Sequence, residues 1–194
     1  MTRIIAGVAG GRRIAVPPGR STRPTSDRTR EGLFTTIHSE LGDLTGVAAL
    51  DVFAGSGAVG LEALSRGATQ ATLIEADPKA LNTIQKNAAS LGLSGVRIIA
   101  GRAERVLAGG PGDARPADLA FADPPYGLSD ADLSQLLRLL AEAGWLAADA
   151  LVVVERSVRS GPVLWPAGYQ PGRSRRYGES VLWYGRASTA LTGG

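Results

Sequence analysis

DVFAGSGAVG, Asp51–Gly60, is the stretch whose reading decides the fold. It follows an apolar run from Val47 and sets Gly55, Gly57 and Gly60 in G-x-G-x-x-G spacing. Glycines so placed let a strand turn into a helix and approach a ligand closely, and the helix N-terminus supplies unpaired N–H groups. Working outward, Val47–Phe53 reads as a strand and Ala58–Arg66 as a helix stopped by Gly67. Ala71–Ala76 is the next strand, and Pro78–Leu91 a helix with proline in its first turn and Gly92 beyond its end. Val96–Ala100 and Ala117–Ala122 are further strands, Ala131–Ala143 a helix and Leu151–Glu155 a fifth strand. Strands alternating with helices imply right-handed βαβ units and an α/β, doubly wound, mostly parallel sheet. The tail over Val163–Arg186 has no long helix, its clearest strand is Val181–Tyr184, and it is expected to form an antiparallel edge.

The first 25 residues are rich in Gly, Pro and Arg and read as a basic arm or hairpin, with residues 26–194 as the main domain. Thr25, Ser26 or Asp27 can cap a helix that carries Leu33, Phe34, Ile37 and Leu41 on one face. Arg12, Arg13, Arg20, Arg23, Arg28 and Arg30 make the arm a candidate phosphate-binding surface, and a second cluster runs from Arg156 to Arg176. The 194 residues, 44% hydrophobic and 20% charged, suit a globular chain with one substantial core. There is no cysteine, hence no disulfide framework and no thiol nucleophile. The apolar part of MTRIIAGVAGGRR is too short for a secretory segment and no run is long enough to span a bilayer, so a cytoplasmic location without membrane contact is expected.

Glu75 ends the second strand 20 positions beyond Gly55, where a carboxylate can accept both hydroxyl hydrogens of an adenosine ribose. That feature alone leaves NAD and S-adenosylmethionine both open. Asp51 favours the second, because an acid just before the glycines opposes a pyrophosphate and suits a sulfonium or an amino acid moiety. Beyond the strand ADLAFA come Asp123, Pro124, Pro125 and Tyr126. The amino group of a nucleobase is a poor nucleophile, its lone pair being delocalised into the ring. The Asp123 carboxylate and the Pro124 carbonyl can each take an N–H and free that lone pair, while Tyr126 offers a ring for stacking. The prolines stiffen the turn. No His, Asp and Glu spacing suggests a metal, and the lone His38 and the scattered Trp145, Trp165 and Trp183 read as surface or packing residues.

With these motifs in hand, the chain resembles class I S-adenosylmethionine-dependent methyltransferases that carry the [DN]PP[YF] motif. Within them it looks like the RsmD family, the bacterial 16S rRNA guanine-N(2)-methyltransferases. RIIAG at 3–7, RPTSDRTREGLF at 23–34, DVFAGSGAVGLEALSRGA at 51–68, IEADPKAL at 74–81 and FADPPYG at 121–127 carry the likeness. The resemblance implies a Rossmann-like, seven-stranded sheet and methyl transfer to a guanine 2-amino group of 16S rRNA, in the small ribosomal subunit or an assembly intermediate. It implies a cofactor site at Asp51, Ala54, Gly55, Gly57 and Glu75, a catalytic site at Asp123, Pro124 and Tyr126, and no need for more than a monomer. After the third strand such enzymes place an acid beside adenine, whereas this chain has Arg102, leaving the backbone of Ala103 as the candidate partner. The rivals are an adenine- or cytosine-N methyltransferase acting on DNA, a non-catalytic RNA-binding assembly factor and a nicotinamide dehydrogenase.

Overall fold

The computed structural model describes residues 2–18 and 26–188. A small antiparallel hairpin of β1 (Thr2–Arg3) and β2 (Arg13–Ile14) precedes helix α1 (Asp27–Leu41). The body follows as β3 (Ala48–Val52), α2 (Ala58–Ser65), β4 (Gln70–Glu75), α3 (Pro78–Leu91) and β5 (Val96–Ala100). It continues as α4 (Ala103–Ala108), β6 (Ala117–Ala122), α5 (Asp130–Glu142), β7 (Leu146–Ser157), β8 (Tyr169–Tyr177) and β9 (Ser180–Ala187). The seven strands β3 to β9 form one sheet in the order β5-β4-β3-β6-β7-β9-β8. Neighbours from β5 to β7 are parallel, while β9 is antiparallel to both β7 and β8. The expected seven-stranded, mostly parallel sheet with an antiparallel C-terminal edge is therefore present.

Local chemistry sets the helix ends. Ser26 caps α1 by accepting the Thr29 amide hydrogen, and Asp77 caps α3 ahead of Pro78. Gly92 closes α3 in a left-handed conformation at φ 65°, which costs a residue without Cβ little. Along the parallel strands, alternate residues enter two cores. Ala49, Leu73, Phe121 and Val153 pack with Leu33, Phe34, Leu61 and Ile84 of α1, α2 and α3. Leu50, Val52, Ile74 and Val152 pack on the other face with Leu107 of α4 and Leu133, Leu136 and Leu140 of α5.

The N-terminal hairpin is part of the first core, because Ile4 and Ile14 are buried within it. What fixes it is the carboxylate of Glu62, fully buried on α2, which accepts the amide hydrogens of Ile5 at 2.7 Å and Ala6 at 3.0 Å. The same carboxylate accepts from Arg66 Nε at 2.7 Å and lies 3.6 Å from Arg30 Nε. Close approach of the two backbones requires Gly7, at φ 81°, since a Cβ there would overlap the Ser65 carbonyl. Arg30, expected among the phosphate-binding residues, is corrected by this arrangement: its side chain is 0% exposed and holds Thr2, Arg3 and Asp27 together. Arg12 stays exposed but turns its guanidinium onto the carbonyls of Ser90 and Leu91 at the end of α3. Arg13 and Arg28 are exposed. Arg20 and Arg23 lie outside the described residues.

Candidate active site

The sheet order reverses between β3 and β6, because β4 and β5 continue to one side of β3 while β6 and β7 lie on the other. Ligands of open α/β sheets bind at the carboxyl ends of the strands at such a point. A cavity of about 310 Å³ opens there. Its wall joins Asp51, Ala54 and Gly55 at the end of β3 to Asp123, Pro124 and Tyr126 at the end of β6. Residues expected from two separate motifs thus meet in one space. Gly57, Glu75 and Ala103 do not line that cavity.

Asp51 is 3% exposed, and its Oδ2 accepts the amide hydrogen of Gly60 at 2.9 Å. Burial pushes its carboxyl up to about 7, opposed by the Gly60 hydrogen bond and assisted by the neighbouring charge of Glu75. Glu75, also buried, accepts from the Gly55 amide at 2.8 Å and from the amides of Ala76 and Asp77, so it fixes the glycine loop against the end of β4. Two glycines of the motif, one at the N-cap and one inside α2, have a geometric reason. Gly57 caps α2 at φ 78°, and a Cβ on Gly60 would sit 3.0 Å from Leu73 Cγ, so bare backbone is what lets α2 press on β4. Phe53 between β3 and the loop holds φ 66°, an unusual value for a non-glycine residue, which the tight turn imposes.

The other end of the cavity is built on the β6 turn. The amide of Asp123 reaches back to the Val52 carbonyl of β3 at 3.4 Å, and Leu128 donates to Pro125 at 2.9 Å to close the turn. Asp123 and Pro124 are half-buried, whereas Tyr126 is 70% exposed with its ring available at the mouth. That arrangement can hold a planar group between a fixed pair of acceptors and an aromatic face. A buried, ionisable carboxyl beside a glycine-rich loop suits a cationic adenosyl ligand, so the residues present fit S-adenosylmethionine. Ala103 is the first residue of α4, buried at the end of β5, and Arg102 before it pairs with Glu104 at 3.6 Å.

Several lining residues were not singled out in the sequence. Val16 and Pro17 close one side, held there by Asn87 of α3, whose side chain bonds both the amide and the carbonyl of Ala15 and also the Ser56 carbonyl. Glu155, Ser157 and Ser180 line the β7 side, next to Arg156 of the second arginine cluster. The signal for Glu155 was legible: LVVVE ends in an acid as ATLIE and ADLAFAD do. Among the described residues no group of three or more His, Cys, Asp or Glu side chains is placed to hold a metal, and no helix is long and apolar enough to cross a membrane.

Comparison with known proteins accords with this geometry. Ribosomal RNA small subunit methyltransferase D of Escherichia coli (strain K12) is 40% identical over 179 residues, 91% of this chain and 85% of that protein. Putative rRNA methyltransferase YlbH of Bacillus subtilis (strain 168) is 36% identical over 79% of this chain and 81% of its own length. The solved structure of the putative methyltransferase yhhF from Escherichia coli superposes with a TM-score of 0.81 at 35% identity, covering 97% of this chain and 98% of that one. The family model described as Conserved hypothetical protein 95 matches residues 2–186. By that match and these identities, the chain belongs to the Conserved hypothetical protein 95 family and is an RsmD-family methyltransferase.

Proposed function

We propose that this enzyme methylates the exocyclic N2 amino group of a guanine in 16S rRNA, acting as a monomer in the cytoplasm on the small ribosomal subunit or an assembly intermediate. The observation that carries this reading is the shared cavity, in which the Asp123-Pro124-Pro125-Tyr126 turn faces the Asp51 and Gly55 loop across the β3/β6 switch point. S-adenosylmethionine, the cofactor of the family, supplies a methyl group activated by a sulfonium when it is bound. Asp51 and the loop would hold its charged portion, with Glu75 and Ala103 beside the adenosine end. Asp123 and the Pro124 carbonyl would each take an N2 hydrogen, turning the nitrogen lone pair toward the methyl donor. Asp123 then meets positive charge as it grows on nitrogen. Tyr126 would stack on the extruded base, and Arg13 and Arg28 would contact phosphates. With no cysteine in the chain, these residues serve direct displacement without a covalent enzyme intermediate.

The test is transfer of labelled methyl from S-adenosylmethionine to small ribosomal subunits that lack the modification, followed by nucleoside analysis. Wild type should yield N2-methylguanosine and Asp123→Ala should lose about 100-fold or more in kcat, the scale of removing one preorganised group at a charge-developing centre. Label on adenine or cytosine, or on DNA alone, would overturn the reading.

A further inference from the structure

The β7 side of the cavity carries an acid to which the transfer chemistry assigns no task. Parallel pairing sets Ala122 of β6 opposite Val154 of β7, so the next residues, Asp123 just past the end of β6 and Glu155 still within β7, follow side by side. Both lie two positions beyond Phe121 and Val153, which belong to one core and pair with each other in the same register. Asp51 pairs with Phe121 across β3 and β6, so all three carboxylates are directed to the same face, and all three line the cavity. Glu155 is only 6% exposed, and its backbone is held on the far side by pairing with Leu182 of β9. Arg156, next along the strand and also in the cavity wall, donates to Asp130 at 2.6 Å.

Resting on the proposed guanine substrate, we infer that Glu155 is a specificity-determining residue that reads the N1–H of the base whose N2 is held by Asp123. The Watson–Crick edge of guanine presents adjacent donors, the N1–H and the 2-amino hydrogens, and two neighbouring carboxylates match them. Beside their amino groups adenine and cytosine present instead a ring nitrogen lone pair. A carboxylate facing that lone pair is repelled and loses a hydrogen bond inside a buried site, where an unmet acceptor is costly. Asp123 and Pro124 can engage any amino-bearing base; Glu155 admits the one with a donor next to it. Selection of guanine is thereby built into the β7 lip.

The experiment uses small ribosomal subunits reconstituted with 16S rRNA that carries either guanine or 2,6-diaminopurine at the methylated position. Diaminopurine keeps the 2-amino group and replaces N1–H with a lone pair. Wild type should favour guanine by about 100-fold or more in kcat/KM, as expected of a site that reads a polar group by hydrogen bonding. Glu155→Gln, whose amide can turn to donate to the lone pair, should bring that ratio to within about tenfold of one while leaving S-adenosylhomocysteine affinity unchanged. Transfer to guanine by wild type with a ratio near one overturns the inference alone, whether or not the variant folds. An unchanged ratio in an active Glu155→Gln does the same. Failure of wild type to methylate guanine at all overturns the substrate reading and this inference with it.

Discussion

The carboxylate of Asp51 accepts the amide hydrogen of Gly60 at 2.9 Å, tying the end of β3 to the first turn of α2 and satisfying one of the amides that every helix start leaves unpaired. Burial raises this carboxyl from 3.8 to about 7, so the folded protein holds the proton more tightly than the unfolded chain. Stability from this group is accordingly greatest below pH 3.8, declines as pH rises between 3.8 and about 7, and stays low above that. In the cofactor-free protein, Asp51→Asn should flatten that part of the pH dependence of thermal unfolding. A bound cation favours the ionised form, so affinity for S-adenosylmethionine should rise with pH up to about 7, by at most about tenfold per pH unit, and then level off. S-adenosylhomocysteine, lacking the sulfonium charge, should respond less. Equal responses in calorimetric titrations would mean that Asp51 does not face the sulfonium.

Glu62 is the anchor of the N-terminal hairpin, and its loss should be costly. The carboxylate serves two backbone amides and Arg66 and stands 3.6 Å from the fully buried Arg30. Removing one partner of a buried ion pair leaves the other charge uncompensated, at about 3–5 kcal/mol. Glu62→Ala should lower the unfolding midpoint by that equivalent and make the hairpin sensitive to protease, since Ile5 and Ala6 lose their acceptor. Glu62→Gln should retain part of the loss-free state, because its single carbonyl can still accept one amide. A melting temperature for Glu62→Ala within experimental error of wild type would contradict this account.

The strand and helix pattern was legible because apolar periodicity and punctuation by Gly and Pro are local properties. Pro78–Leu91, Val96–Ala100 and Ala117–Ala122 have their observed bounds already in the sequence. Helix α4 escaped because Ala103–Ala108 is too short for a period to register, and β8 because YQPGRSRRY is polar and almost wholly exposed, its place given by pairing with β9. At the site, the glycine loop and the Asp123 turn announce themselves by residue type. The burial of Arg30 does not: in sequence it is one arginine among several, and only docking of the hairpin on α2 makes it internal. Val16 and Pro17 reach the cavity by the same long-range packing.

The arginines of the N-terminal region should therefore separate into two behaviours. Arg13 and Arg28 are exposed, so Arg13→Ala and Arg28→Ala should leave thermal stability within about 0.5 kcal/mol of wild type. If they contact phosphate, each should lower the slope of log affinity against log salt by about 0.7–0.9. Arg30→Met should instead lower stability while affecting the salt slope no more than unfolding explains, since its guanidinium meets Thr2, Arg3 and Asp27 inside the protein. Salt titrations of binding to small subunits, read beside melting curves, check both. A salt slope unchanged in the Arg13 and Arg28 variants would remove β2 of the hairpin and the start of α1 from the RNA interface.

Asn87 couples the hairpin's exit to the cofactor loop, and its substitution should be felt in cofactor affinity although its own side chain does not line the cavity. Its Oδ1 accepts from Ala15 at 2.9 Å, and its Nδ2 donates to the carbonyls of Ala15 at 3.0 Å and Ser56 at 2.9 Å. Ser56 stands between Gly55 and Gly57, while Ala15 leads directly into Val16 and Pro17, which close the cavity. Asn87→Leu keeps the volume but strands buried backbone groups, at about 1–3 kcal/mol. Part of that cost falls on the bound state, because the loop and the Val16–Pro17 wall are no longer held at a fixed separation. S-adenosylhomocysteine should bind about tenfold more weakly to Asn87→Leu and as tightly as wild type to Asp123→Ala, whose side chain belongs to the base end. If Asn87→Leu is destabilised yet binds with wild-type affinity, the clamp serves folding only, and the wall it holds is not part of the cofactor site.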